Sequence, residues 1–375
     1  MIFDISDEEF KNILNDPKLY LPIRWIGNDF SGTLKILLNY FENKIDTIPN
    51  GHAFLTISPK FEATKKEIHK ICGLLIRTID SYLNGFPSKA YETFRSVMEI
   101  LVRVPLDLYL KNANSEEDKL ELFRAVSVED NCPYERERIF HTPYELISKV
   151  TTTRYSIAGF PSLYLGTSLE LCCEEIHRNP YSHFTLASKF KLDDTVEYTN
   201  THIKIIEMGI KPQDFDPMYY EGQSLSRNRG RRISQNILND QKVRCAYLYW
   251  YPLIAACSYI RVNKKDPFAP EYIIPQLLMQ WARDEIRVQA KDGCDQVVGI
   301  RYFSCASVKS SDMGFNYVFP TSGLKIKKNP NSYSYCSVLT KIFLSTYPVY
   351  IHEFGDTYTC EHYLENSHDY DYVVK

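Results

Sequence analysis

Arg154-Tyr-Ser-Ile-Ala-Gly-Phe-Pro-Ser-Leu-Tyr-Leu-Gly-Thr-Ser-Leu-Glu-Leu-Cys-Cys-Glu-Glu-Ile176 is the stretch on which the fold turns. Gly159 and Pro161 mark a loop, and the run Ser162 to Leu165 after it reads as a short strand. Ser168 stands where it can cap a helix, since its hydroxyl can accept an N–H that the first turn leaves unpaired. That reading puts Tyr164 at the strand end. It puts Glu175 about two turns into the helix, on the side that can face the same cleft.

Other strand-like runs surround it: Leu122 to Val128, His183 to Leu192, His202 to Met208, Val297 to Phe303 and Tyr317 to Phe319. Helical patterns lie between them, so residues 116–375 read as a mixed α and β domain. Residues 1–115 read as all-helical. Ser6 and Glu9 have capping-box spacing, and Leu34, Leu37, Leu38, Phe41 and Ile45 recur on one helical face. Thr64 and Glu67 form a second box ahead of Ile68, Ile71, Cys72, Leu75 and Ile79, and Gly85 with Pro87 supplies the stop. A fourth helix runs from Ser88 to a break at Pro105. The polar stretch Lys111 to Lys119 is the expected linker, and the acidic, Tyr-rich stretch Glu361 to Tyr372 is expected to be a weakly ordered surface tail. The predicted class is α+β, with a helical N-terminal domain in front of a mixed-sheet core.

Composition excludes several functions. A formal net charge of −3 over 375 residues supplies no basic field for duplex DNA or an anionic membrane. The local cluster Arg227, Arg229, Arg231 and Arg232 reads either as a solvated basic loop or as a phosphate contact. The start, Met1-Ile-Phe-Asp-Ile-Ser-Asp-Glu-Glu9, does not read as a signal peptide, so the expected location is cytoplasmic. Cys245 to Ile260 is the longest apolar stretch, falls short of the ~20 residues a spanning helix needs, and is read as core. The ten cysteines show no C-x-x-C pair and the nine histidines no ligand spacing, so the thiols are expected reduced and no metal is expected.

Two further residues sit in strands. Arg124 lies in Leu122-Phe-Arg-Ala-Val126, and Ser304 closes Gly299-Ile-Arg-Tyr-Phe-Ser304. Alone, the first reads as a surface or ion-paired arginine and the second as a solvated or capping hydroxyl. Taken together with the stretch 154–176, and with Glu271-Tyr-Ile-Ile-Pro-Gln-Leu-Leu-Met-Gln-Trp281 as the helix before the last of these strands, they resemble the RES domain, named for an arginine, a glutamate and a serine. The likeness runs from about Phe123 to Ser304. It matches the arginine to Arg154, the glutamate to Glu175 and the serine to Ser304, with Arg124 and Tyr164 at two further family positions. Glu174 is the neighbouring alternative to Glu175.

The resemblance implies an ADP-ribosyltransferase-like core, NAD as substrate and loss of nicotinamide to water or phosphate, in toxins that a small antitoxin can block. The residue types suit that chemistry. Guanidinium groups such as Arg124 and Arg154 match pyrophosphate or phosphate oxygens in a planar fork. Departure of nicotinamide leaves an oxocarbenium-like ribose that a carboxylate, Glu175, can stabilise. Tyr155 and Tyr164 offer flat faces to the nicotinamide ring, and Ser304 a hydroxyl to its amide or to a phosphate. Transfer of ADP-ribose to a macromolecule is the rival chemistry. Structural roles stay open: both tyrosines as core aromatics, Glu175 paired with Arg178, and His141 as a loop-fixing residue rather than a base. For residues 1–115, which the resemblance does not cover, restraint of the site, sensing and homo-oligomer formation are all open.

Overall fold

A computed structural model describes residues 7–24, 27, 29–48, 61–106, 121–176, 184–193, 201–216, 219, 233–261, 263, 265–289 and 295–374. Ser6, the linker 111–119, the expected domain boundary at 115–116, Arg178 and the arginine cluster 227–232 lie outside these residues. The helices are α1 (Asp7–Leu14), α2 (Phe30–Asp46), α3 (Phe61–Leu83), α4 (Pro87–Leu101), α5 (Leu169–Glu175), α6 (Gln235–Leu238), α7 (Gln241–Ala256), α8 (Ile273–Gln289), α9 (Ser337–Ile342) and α10 (Thr357–Glu365). The strands are β1 (Glu121–Ser127), β2 (Ser162–Gly166), β3 (Thr185–Leu192), β4 (Thr201–Met208), β5 (Asp295–Phe303), β6 (Phe315–Pro320), β7 (Lys325–Lys327), β8 (Ser334–Cys336), β9 (Phe343–Ser345), β10 (Val349–Tyr350) and β11 (Asp371–Tyr372). The class is α+β, a helical N-terminal region followed by a sheet core. Each strand-like run of the sequence is present as a strand, and no helix of the described residues is long and apolar enough to cross a membrane.

The chain divides into two compact units: Met1–Leu108 with Ile210–Ser224 and Ile233–Leu278, and Tyr109–Gly209 with Leu225–Arg232 and Met279–Lys375. The helical unit thus takes in chain from well beyond residue 115. Its centre is α7, buried at every position from Val243 to Ala256, as a helix that is apolar on all sides must be. The tyrosines and tryptophan on α7 keep their polar ends satisfied: Tyr247 donates to Ile210 O at 3.1 Å, Tyr251 to Leu19 O at 3.0 Å, and Trp250 Nε1 to Val104 O at 2.8 Å. The α2 stripe expected from the sequence is buried through Leu34, Leu38, Phe41 and Ile45, and Asp29 caps its start by accepting from Gly32 N. The box at Thr64 and Glu67 does not start α3, which begins at Phe61 and runs through both.

In the second unit the main sheet has the order β11-β9-β3-β1-β2-β6-β5-β4, with β10 beside β3; among the described residues only β4 and β5 of this sheet pair in parallel. The register sorts side chains onto two faces, because directly opposed residues share a face. Phe123 opposes Gly166, Gly166 opposes Asn316, and Asn316 opposes Tyr302; Tyr164 opposes Val318, and Val318 opposes Ile300. This is the face that carries α5. Leu169, Cys172 and Cys173 of α5 pack there with Phe123, Ala125 and Ala187 of the sheet and with Ile351, Cys360 and Leu364. Arg124, Ser188, Arg301 and Phe319 belong to the opposite face. The C-terminal stretch is no loose tail: Cys360 and Leu364 are core residues of α10, Tyr372 pairs with Leu344, and Val373 and Val374 are buried. The apolar spacing of α10 within an acidic sequence accounts for the difference.

Candidate active site

The loop 151–161 is shaped by Gly159, whose φ of +83° suits glycine, and is closed by bonds from Gly159 N to Val150 O and from Phe160 N to Ile157 O. It is fastened to β2 by the hydroxyl of Tyr164, which shares hydrogen bonds with Thr153 Oγ1 at 2.6 Å and Ser156 Oγ at 2.8 Å. Tyr164 therefore anchors the loop that carries Arg154 and Tyr155. Tyr155 is buried, and its ring lies 4.6 Å from that of Tyr302 on β5.

α5 begins as expected: Ser168 Oγ accepts from Leu171 N at 3.3 Å. Glu175 is its last residue, half-buried, and Oε1 accepts from Asn316 Nδ2 at 2.6 Å. Gly166 makes this approach possible, since a Cβ there would stand 2.8 Å from Cys172 Sγ and 3.5 Å from Asn316 Oδ1. The two adjacent carboxylates part company. Glu175 acts on the Tyr302 hydroxyl, whereas Glu174, with Glu170, acts on the Cys173 thiol.

Tyr302 is the hub. Burial, then the charges of Glu175, Tyr164 and Tyr155, hold its phenol well above the ordinary range, and Arg154 pulls the other way. It stays protonated at neutral pH and presents an O–H donor. The structure thus gathers Arg154, Tyr155, Tyr164 and Glu175 around a residue that the sequence reading did not select, and adds Asn316. Both carried a signal: Asn316 is one amide in a strand buried at every position, and Tyr302 stands two residues before Ser304.

Arg124 and Ser304 are held by other contacts. Arg124 faces away from Glu175, opposite Ser188, but its Nη1 turns back to donate to Tyr164 O at 2.7 Å. Its Nε is buried without a hydrogen-bond partner. Burial brings the guanidinium down to about 10, which leaves it cationic at neutral pH. Ser304 is fully buried in a serine turn, donating to Ser310 Oγ at 2.8 Å and accepting from Ala306 N at 3.2 Å. Its hydroxyl shapes the end of β5. His141 is likewise held in place, with Nε2 accepting from Cys336 N at 2.9 Å and Nδ1 2.8 Å from Thr142 O; burial first, then Arg124, lowers it to about 4. A neutral, doubly engaged imidazole is a fixing residue. No cluster of His, Cys, Asp or Glu that could hold a metal occurs among the described residues.

Chemically, the cluster offers a carboxylate fixed by an amide, a permanent cation on a fastened loop, and three phenols on one face. Such a group can hold a flat ring and steady positive charge that develops next to it. The chain is similar to the protein named "Putative toxin YopC" of Bacillus subtilis (strain 168), with 29% identity over 342 residues that cover 88% of this chain and 68% of that protein. Residues 116–375 cannot alone supply that coverage, so the likeness takes in part of the helical region. No family model matches the chain, and no solved structure matches it.

Proposed function

We propose that this chain is a toxin that consumes NAD, breaking the bond between nicotinamide and ribose and passing the ADP-ribosyl group to water or phosphate. The name of its relative supports the toxin role. The observation that carries the chemistry is the Glu175 carboxylate, held by Asn316 and acting on the Tyr302 phenol, on which Tyr164, Tyr155 and Arg154 also act. When the C1′–N bond breaks, its electron pair goes to the pyridinium nitrogen and positive charge passes to the ribose. A carboxylate on that face lowers the barrier, and a fixed one does so without reorganising. The phenols give nicotinamide a flat wall, Arg154 meets phosphate oxygens, and Arg124 is a second cation at the same strand junction. NAD is the substrate in this reading and phosphate a candidate co-substrate; a small antitoxin is the candidate partner.

The test is incubation of the purified chain with NAD, with and without phosphate, and mass analysis of the products. Free nicotinamide with ADP-ribose or its phosphate ester is the expected result. A mass gain on a macromolecule would point instead to ADP-ribosyl transfer. Glu175→Gln and Arg154→Ala are expected to fold and to lose turnover by at least ~100-fold, the scale of one electrostatic contact in a transition state. Intact NAD after hours with phosphate present would refute the proposal.

A further inference from the structure

We infer that Glu361, on α10, is a positioning residue that sets the placement of Glu175 through the start of α5; the inference rests on the proposal that Glu175 is the carboxylate that acts. α5 has seven residues, too few to hold a helical form or a direction by themselves. Its orientation is imposed from outside, at three places. Along its length Leu169, Cys172 and Cys173 pack on Cys360 and Leu364 of α10 and on Ile351. At its far end Glu175 takes the Asn316 amide. At its start the Glu361 carboxylate accepts from Leu169 N at 2.5 Å, beside the Ser168 cap on Leu171 N.

The contact is charge-assisted, a class roughly twice as strong as neutral hydrogen bonds. Its charge contributes, after burial, to raising the thiols of Cys172, Cys173 and Cys360. α10 is itself fixed, by Asp356 accepting from Thr359 N and by its two core side chains. A segment far along the chain therefore pins one end of a short rod whose other end carries the proposed acting carboxylate.

Geometry sets the scale. A helix of this length spans about 10 Å, so a tilt of about 10° moves its far end by about 2 Å. Misplacement by about 1 Å can cost on the order of 100-fold in rate.

The experiment uses the full chain with NAD. Glu361→Ala is expected to lower kcat at least ~10-fold with KM within about twofold, the pattern of a lost transition-state contact. Glu361→Gln keeps an oxygen acceptor without the charge and is expected to fall in between, at about threefold. Amide exchange at Leu169 is expected to speed up in Glu361→Ala while Val318, in the sheet, keeps its protection. Leu34→Ala thins the core of the helical unit, which does not contain α5, and is expected to lower thermal stability but leave kcat within about twofold. Wild-type turnover in Glu361→Ala alongside an inactive Glu175→Gln overturns the inference alone, as does an equal loss of kcat in Leu34→Ala. Full turnover in Glu175→Gln overturns the site reading and this inference with it. If Glu361→Ala does not fold, wild-type kcat in Glu361→Gln is the refuting result.

Discussion

Gly166→Ala tests the steric argument beneath the site. The added methyl would stand 2.8 Å from Cys172 Sγ, about 1 Å inside the separation at which non-bonded heavy atoms attract. Cys172 has little room to yield: it is buried, packed in the α5 core, and its thiol donates to Phe123 O at 3.3 Å. Overpacking of this kind costs about 1–3 kcal/mol. For a unit of this size each kcal/mol lowers the unfolding midpoint by about 2–4 °C, so a fall of about 4–8 °C is expected for a cost near 2 kcal/mol. Cys172→Ala removes the obstructing sulfur. In a double-mutant cycle followed by thermal and urea unfolding, the pair should therefore be more stable than the sum of the two single changes predicts, by about 1–2 kcal/mol. Because Cys172 lies on the helix that ends in Glu175, the single variant should also lose NAD turnover and the double variant recover part of it. A Gly166→Ala protein as stable as the wild type, or a double variant with purely additive loss, refutes the reasoning.

His141 is held near pKa 4 by burial, against an ordinary 6.5. The unfolded chain binds a proton in that window and the folded chain does not, so the stability present above pH 6.5 should be lost as pH falls toward 4, by up to about 3 kcal/mol. Urea unfolding of the wild type against His141→Gln at several pH values checks this, and parallel pH profiles would sink it. The buried pair of Glu207 and Arg301, 2.6 Å apart with the guanidinium 4.1 Å over the Phe315 ring, makes Glu207→Gln a severe change. It removes the countercharge of a buried cation and is expected to cost about 3–5 kcal/mol, while a joint change to apolar residues should restore most of it. Tyr302→Phe removes the hydroxyl on which the Glu175 charge acts without emptying the core. It should lower kcat at least ~10-fold while moving the unfolding midpoint little, and unchanged kcat would remove Tyr302 from the site.

The strands and most helices were legible because each is written by its own local period. The run Ser162 to Leu165, the cap at Ser168 and the stripe of α2 stand where the sequence placed them. The choice of partner was not legible. Cys245 to Ile260 announced burial, but apolarity all round a helix does not say which unit it centres. Glu361 to Tyr372 reads as polar because Leu364 is the one buried residue inside it, while the core positions Cys360, Val373 and Val374 flank it. Thr64 could equally cap a helix or sit inside one, and only the chain before it decides. In the site, Glu175 was legible through the helix period, whereas Asn316 and Tyr302 needed the pairing of β2 with β6 and of β6 with β5.

Arg124 shows why register is the missing variable. Its strand assignment is right, yet a strand has two faces, and a shift of pairing by one residue exchanges them. β1 pairs with β3 through seven consecutive residues but meets β2 at a single opposed pair, Phe123 with Gly166. Tyr164 stands two residues before that pair on β2. The Tyr164 carbonyl takes the Arg124 guanidinium. A cation that has left its own face thereby donates to the backbone of the neighbouring strand. The same residue ties β1 to the strand whose tyrosine hydroxyl fastens the Arg154 loop. The two arginines that the sequence suggested would meet over a ligand are thus linked through Tyr164, one to its carbonyl and the other through the loop on its hydroxyl. A change at Arg124 must then reach the loop by way of the sheet, whatever it also does to a bound anion.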